Sequence, residues 1–121
     1  MKAINLKEKH AVFTKKWHPH QIATVDDMQV ILAKVQGEFV WHAHEEEDEL
    51  FQVLKGTLIM KFRDREVEVK EGEIIVVPKG VEHCPATRNN EVVHLLLFEK
   101  QNTAHTGNVK HEMTQNTYPK I

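Results

Sequence analysis

Short apolar and aromatic runs, separated by Gly, Pro, Asp and Asn, follow one another along this chain from residue 21 onward. Some of them alternate strictly, as in EVEVK, where Val67 and Val69 share one side and charged residues occupy the other. A period of two is typical of a strand with one side in water. The pattern predicts strands at about 21–25, 29–36, 38–43, 50–55, 57–63, 66–70, 73–77 and 92–99.

The two ends of the chain depart from this pattern. Asn5, with Glu8 three residues later, is typical of a helix start, so a short helix is predicted within residues 5–13. Residues 101–121 are polar and poorly periodic, which favours an extended tail pinned by Tyr118 and Ile121. We therefore expect one domain over residues 1–121, with an N-terminal arm (1–20), a barrel core (about 21–100) and a C-terminal tail (101–121).

About eight short strands with little helix indicate an all-β protein. Such strands close into a small β-barrel or a double-sheet jelly roll, because closure removes the exposed strand edges. The interior of a small barrel can hold one ligand. Any chemistry is therefore expected inside the barrel.

Composition excludes several classes of partner. Sixteen Lys and Arg against eighteen Asp and Glu give a net charge of -2 without a long basic block, so neither nucleic acid nor a membrane surface is an expected partner. No apolar run approaches the length of a membrane span, and the first ten residues lack the apolar core of a secretion signal. Cys84 is the single cysteine and cannot form an internal disulfide. We expect a cytoplasmic protein.

The segment HAHEEEDELFQVLKG, residues 42–56, places two histidines and five carboxylates inside the apolar alternation. Side chains two apart in a strand point the same way, so the rings of His42 and His44 can converge. Glu49 opens the next apolar run, and a turn through 45–48 returns it toward the histidines, with the four acids of that turn in solvent. The second such pair, His18 and His20, is expected to be exposed or locally bonded.

A third histidine follows in GEIIVVPKGVEH, residues 72–83. Gly72 supplies a turn before the strand, while Pro78 and Gly80 reverse the chain and aim His83 inward. Three neutral imidazoles and one carboxylate suit a first-row divalent ion and leave coordination positions open for substrate or water. The alternative is a barrel that keeps this pattern without binding metal tightly.

These two segments resemble the two conserved motifs of the cupin family. HAHEEEDELFQVLKG is similar to the first motif, GEIIVVPKGVEH is similar to the second, and the resemblance covers about residues 29–99. It implies a jelly-roll-like cupin barrel, commonly a homodimer, that binds one divalent transition metal ion (Fe, Mn, Ni, Cu or Zn) through His42, His44, Glu49 and His83. Two positions depart from the family pattern: Gly37 lies five rather than six residues before the first histidine, and Thr87 replaces the usual asparagine.

Parity along the strands extends the predicted site. Phe51 and Val53 share the side of Glu49, and Val40 shares that of the first histidine, so these three residues are predicted to line a mostly apolar substrate pocket. His94 lies in the apolar run VVHLLLF, where it is either a core histidine or a catalytic proton carrier. Cys84 is expected to point away from the site.

Two functions remain open at this stage. The first is a metal-dependent enzyme that acts on a small molecule, either as a sugar or keto-acid isomerase or as a dioxygenase. The chain shows no clustered arginines or glycine-rich loop for a phosphate, which weakens the case for a phosphosugar. The alternative is a non-catalytic cupin that binds or senses a small molecule.

Overall fold

One short helix precedes eight strands in the computed structural model, which describes residues 1–101, 103–104, 106–107 and 117–121. The elements are α1 (Leu6–His10), β1 (His20–Val25), β2 (Met28–Gln36), β3 (Glu49–Lys55), β4 (Leu58–Phe62), β5 (Glu66–Val69), β6 (Ile74–Val77), β7 (His83–Ala86) and β8 (Val92–Lys100). The predicted all-β class is confirmed. No helix among the described residues is long and apolar enough to cross a membrane.

The strands form two antiparallel sheets. The larger has the order β1-β2-β8-β3-β6, and the smaller has the order β5-β4-β7. The last strand, β8, lies between β2 and β3 and pairs with both, so a strand from the end of the chain closes the centre of the larger sheet. This crossover arrangement is the double-sheet β architecture predicted from the sequence.

Alternation along each strand separates an inner face from an outer face. In β8, Val93, Leu95 and Leu97 are buried at 0%, 1% and 7% exposure, whereas the residues between them are half-buried. In β3, Phe51 and Val53 are buried in the same manner. Complete burial of one such side chain stabilises the fold by about 1.5–3 kcal/mol. The core therefore lies between the sheets, which is also where the candidate site lies.

The segment 38–43 differs from its prediction. It forms no regular strand, and its pairing with other described residues consists of two isolated bridges, Glu38↔Ala86 and His42↔His83. The strand β7, to which it bridges, was not predicted, because HCPA contains a proline and has no alternation: all four of its residues are buried. Proline lacks an N–H for the ladder, so it is tolerated at a sheet edge. The edge position of β7 satisfies this requirement.

The N-terminal helix is capped as predicted, and the C-terminal end bonds back to the barrel. The Asn5 side chain accepts a hydrogen bond from the Glu8 N–H at 2.9 Å, as the predicted helix start requires, although the helix ends at His10 rather than near residue 13. At the other end, Ile121 N–H donates to the Gln21 carbonyl at 3.0 Å and Tyr118 donates to the Thr103 carbonyl at 3.0 Å. Tyr118 and Ile121 thus pin the tail as predicted, and the rest of the predicted extended tail lies largely outside the described residues.

Candidate metal centre

Two chain segments bring the predicted ligands together. His42 and His83 form a backbone pair, with each N–H donating to the other's carbonyl at 3.0 and 2.9 Å, and their ring centroids lie 4.3 Å apart. His44 follows two residues later, with its ring 5.0 Å from that of His42. Glu49 is the first residue of β3 and faces the same interior. The local turn at Pro78–Gly80 supports this pairing, because Gly80 N–H donates to the His44 carbonyl at 2.8 Å.

One ligand atom from each of these four residues lies within 4.8 Å of the others. Glu49 Oε1 lies 3.3 Å from His44 Nε2 and 3.5 Å from His83 Nε2. Two ligands about 2.0–2.2 Å from a common ion are separated by roughly 3–4 Å, so these spacings are close to those of one coordination sphere. All four side chains are buried, at 4% exposure or less. The cluster could bind one metal ion.

Buried polar atoms in the cluster lack normal partners. His44 Nε2, His83 Nε2 and Glu49 Oε1 are each inaccessible to water and have no hydrogen-bond partner of normal geometry among the described residues. A buried nitrogen or carboxylate oxygen left unbonded costs about 1–3 kcal/mol or more, which is why such atoms are rare. A divalent ion would satisfy all three at once, so the donor set fits a metal.

The backbone orients two of the rings. The Nδ1 atoms of His42 and His83 lie 2.8 and 2.9 Å from the carbonyls of Val40 and Val81. In the neutral ring Nδ1 must then carry the proton and donate it, which leaves the Nε2 lone pair pointing into the cluster. Such a bond to the far nitrogen is the usual way in which a protein fixes a metal-binding histidine.

Electrostatics at the cluster keeps one ring neutral and one carboxylate charged. Burial, together with the nearby His83, lowers the pKa of His42 to about 4, so this imidazole is unprotonated at neutral pH. Burial raises the pKa of Glu49, but the bonds to and charges of His44 and His83 outweigh that effect and hold it below its usual range. For His44 burial lowers the pKa, and the bond to and charge of Glu49 raise it above its usual value. The cluster therefore offers an anionic ligand among imidazoles.

A small cavity of about 40 Å³ lies beside this cluster, with His42 and Glu49 in its wall. The rest of the wall is apolar: Trp17, Pro19, Ala33, Val35, Phe39, Phe51, Pro85, Leu95 and Leu97. Of the three predicted pocket residues, Phe51 lines the cavity. Val53 packs in the core at 0% exposure, and Val40 is half-buried and supplies its carbonyl to the His42 ring.

His94 is not brought to the cluster. It lies on the outer face of β8, between the inward-facing Val93 and Leu95, and its ring stacks on that of His10 at 4.6 Å. Cys84 is fully buried beside His83, and its thiol donates to the Phe39 carbonyl at 3.5 Å rather than joining the cluster. Burial raises the pKa of this thiol to about 11, so it remains protonated.

The sequence analysis missed two residues of the site. Glu99 is fully buried on the inner face of β8, and its Cα is paired with that of Glu49. Burial and the neighbouring Glu49 raise its pKa well above the usual range. The alternation in VVHLLLFEK puts Glu99 on the same side as Val93, and this pattern could have predicted that Glu99 faces the interior. Trp17, which stacks on Phe39 at 4.6 Å and covers one side of the cavity, had no such signal.

The fold and the cluster together define a small double-sheet β-barrel with a buried site, formed by described residues, that could hold a metal ion between three histidines and a glutamate. The family model described as the cupin domain matches residues 28–99 of this chain. The protein belongs to the cupin family.

Individual relatives support the same assignment. The curated protein YdbB of Bacillus subtilis (strain 168) is 43% identical over 82 residues, an alignment that spans 67% of this chain and 66% of the relative, slightly less than two thirds of its length. A cupin-2 domain containing protein from Shewanella frigidimarina NCIMB 400 is 43% identical with a TM-score of 0.78, covering 81% of this chain and 94% of that one. Protein NMB1881 from Neisseria meningitidis is 33% identical with a TM-score of 0.74, covering 82% and 99%.

Proposed function

We propose that this cupin is a metal-dependent enzyme acting on a small molecule at the cluster of His42, His44, Glu49 and His83. The observation that carries the proposal is a set of three buried ligand atoms beside a cavity, none of which has a hydrogen-bond partner of normal geometry among the described residues. Once bound, a divalent ion would polarise a substrate oxygen or activate molecular oxygen. With four protein ligands, one or two coordination positions stay open to the cavity.

The walls of the cavity favour a small, largely apolar substrate. Apart from His42 and Glu49, the described lining side chains are uncharged and mostly apolar, so they match neither a phosphate nor the many hydroxyls of a sugar. This favours dioxygenase-like chemistry, or isomerisation of a small keto compound, over a phosphosugar isomerase. Ring stacking of Trp17 and Phe39 at the wall would keep water from the site while the reaction proceeds.

Glu99 adds a second carboxyl to the interior. It lies against Glu49 and is fully buried, so the inner face holds a titratable side chain besides the four proposed ligands. Glu99 does not line the cavity, so it would influence the reaction through Glu49, against which it lies, rather than as an acid or base at the substrate.

A non-catalytic binding cupin is the second candidate. It is favoured by the apolar wall, in which the described residues include no acid or base apart from the two ligands. In that case the metal would serve only to hold the oxygen of a bound ligand, and no product would form.

The first test is elemental analysis of the purified protein, which shows whether the cluster binds metal. We expect about one equivalent of metal in the parent, and none in a variant carrying His42→Ala with Glu49→Ala. The matched control carries His18→Ala with Glu46→Ala, which also removes one histidine and one glutamate but lies outside the cluster. Metal loss in the control as well, or a parent that takes up no metal, would reject the site.

The second step identifies the reaction. If the parent contains iron, oxygen uptake is measured with small enolisable ketones, keto acids and aromatic diols, and isomerisation of the keto compounds is followed by proton exchange. Turnover that vanishes in the double variant supports the enzyme. Saturable binding of such compounds to the metal-loaded parent without turnover supports the binding cupin.

We also propose that the protein is a homodimer, as the family resemblance implies. The support in this structure is the exposed apolar outer face of the edge strand β6, where Ile74 and Val76 are 56% and 50% exposed. Apolar surface of this kind is often covered in an assembly. Light scattering after size exclusion should give twice the chain mass, and Ile74→Lys should shift it toward one chain; a parent of single-chain mass would reject the dimer.

A further inference from the structure

A second cavity lies outside the barrel, between α1 and the outer face of the larger sheet. Its volume is about 590 Å³, against about 40 Å³ for the cavity at the metal cluster. Leu6 and Ala11 form one wall and Leu54 contributes to the other. The volume is within the range of sites that bind small organic molecules. We call this cavity the outer cleft.

Positive charges concentrate on the floor of the outer cleft. Lys34 on β2 and Lys55 on β3 are both paired in register with His94 on β8, so three basic residues occupy one row across three neighbouring strands. A positive charge on His94 would lie directly opposite both lysines, and like charges in that position destabilise a sheet. Consistent with that, burial and then the charges of Lys34 and Lys55 lower the pKa of His94. The row therefore presents two ammonium groups on either side of a neutral ring, and both would attract an anion bound over it.

Lys34 and Lys55 are both available to a ligand. Lys34 Nζ donates one hydrogen bond to the Phe13 carbonyl at 2.5 Å, which fixes the ammonium group at the cleft and leaves two further N–H donors. Lys55 is exposed, and Lys7 adds a third ammonium group to the lining. Glu71, the one acid among the described lining residues, accepts a hydrogen bond from the Gly56 N–H at 2.9 Å. The balance of charge in the cleft is therefore positive.

His10 provides an independent indication of a ligand. Its side chain is only 4% exposed, yet neither ring nitrogen has a hydrogen-bond partner of normal geometry among the described residues. Its ring stacks on His94 and forms part of the cleft lining. Burial, followed by the charges of His94 and Lys34, lowers the pKa of His10 to about 4. The backbone of Leu95 acts in the opposite direction, but its effect is the smallest of the four. Both nitrogens are also inaccessible to water, so a ligand oxygen or hydroxyl in the cleft would reach one of them only when the ring turns toward the cleft. The cost of a buried polar ring without a partner favours that turn.

We propose that the outer cleft binds a small organic oxyanion, a carboxylate or a phosphate ester, whose charged end lies between Lys34 and Lys55. Its apolar part would pack against Leu6, Ala11 and Leu54, and His10 would bond one of its polar atoms once its ring turns toward the cleft. Charge-assisted bonds to two ammonium groups select the anion, and the apolar walls select a ligand larger than an inorganic ion. The site lies on the opposite face of the sheet from the metal cluster, so it does not depend on metal binding.

The test is a nuclear magnetic resonance titration of the isotope-labelled protein, as purified, with inorganic phosphate, acetate and benzoate in turn. We expect saturable shifts at the backbone amides of Ala11, Leu54, Lys55 and His94. Benzoate should bind more tightly than acetate, because only its ring can reach the apolar walls. A phosphate that binds more tightly than benzoate would assign the ligand to the phosphate esters, and the reverse order would assign it to the carboxylates.

Matched charge variants decide whether the effect is local. Lys55→Gln changes an exposed residue and should weaken anion binding by ~fivefold or more, the loss expected for one charge-assisted bond. The control is Lys100→Gln, which removes the same charge from the same face of the larger sheet, on β8 about 20 Å from His94. Thermal unfolding of both variants verifies the fold. Absence of saturable shifts with phosphate and benzoate alike, or equal weakening by both variants, would overturn the proposal.

Discussion

Gly107 offers a direct test of how the C-terminal segment supports the metal-bearing segment. A Cβ at this position would lie 2.2 Å from the Ala43 carbonyl oxygen and 3.1 Å from Cδ2 of the His42 ring. The first contact is with backbone, which cannot move aside as the end of a flexible side chain would. Gly107→Ala must therefore displace either its own turn or the residues that carry His42 and His44.

The cost of Gly107→Ala has two parts. Its φ of +57° is in the left-handed region, where a Cβ costs about 1–2 kcal/mol. Forcing extra volume into a packed contact adds about 1–3 kcal/mol. The total of about 2–5 kcal/mol corresponds to a melting temperature lower by roughly 8–20 °C for a domain of this size.

Gly72→Ala is the matched control, because it isolates the backbone cost. Gly72 has a φ of +83°, but a Cβ there would meet no heavy atom within 4 Å. The control should lower the melting temperature by only roughly 4–8 °C. Both variants are melted in chelator, so that metal binding does not contribute to stability, and then titrated with metal.

Both the melting temperature and the metal affinity should distinguish the two variants. We expect Gly107→Ala to weaken metal affinity by ~10-fold or more, as changes to groups that orient metal ligands commonly do, and Gly72→Ala to leave it unchanged. If the two variants melt at the same temperature and bind metal equally well, the close approach of Gly107 to Ala43 does not support the site.

Three further predictions concern protonation and burial. Metal affinity should fall as the pH drops through neutrality, because a protonated His44 ring cannot bind metal. Burial lowers the pKa of His44, but the bond to and charge of Glu49 outweigh burial and raise it above its usual value. A metal-competition titration that gives the same affinity from alkaline to acidic pH would contradict this. Burial holds the pKa of His10 at about 4, so between pH 6.5 and about 4 the unfolded chain binds more protons than the folded chain. The neutral His10 therefore contributes fully to the free energy of unfolding above pH 6.5, and this stabilisation is lost as the pH falls from 6.5 toward 4. His10→Phe should therefore remove about 1 kcal/mol of the decline in unfolding free energy between pH 6.5 and 5.5, and an unchanged decline would refute the assignment. Cys84, fully buried with its pKa raised to about 11, should react with a thiol reagent only at the rate of unfolding, and immediate labelling of the native protein would show otherwise.

Local pattern was sufficient for most of the metal cluster. The predicted ligands His42, His44, Glu49 and His83 meet in the structure, because side-chain parity and the turn residues Pro78 and Gly80 act over short stretches of chain. The same reasoning misjudged residues 38–43 as a regular strand. It also missed β7, because all four residues of this strand are buried and the sequence HCPA shows no alternation of apolar and polar residues.

The sequence by itself determined the all-β class, the family and the four donor residues, since each depends on spacing within a few residues. Only the tertiary structure decided which distant positions meet: Glu99 opposite Glu49, Gly107 against Ala43, and Lys34 and Lys55 on either side of His94. It also placed His94 on the outer face, away from the cluster. The physical reason is strand register: β8 pairs with strands that lie some forty to seventy residues earlier in the chain, and no local pattern specifies which residues become opposite neighbours in such a pairing.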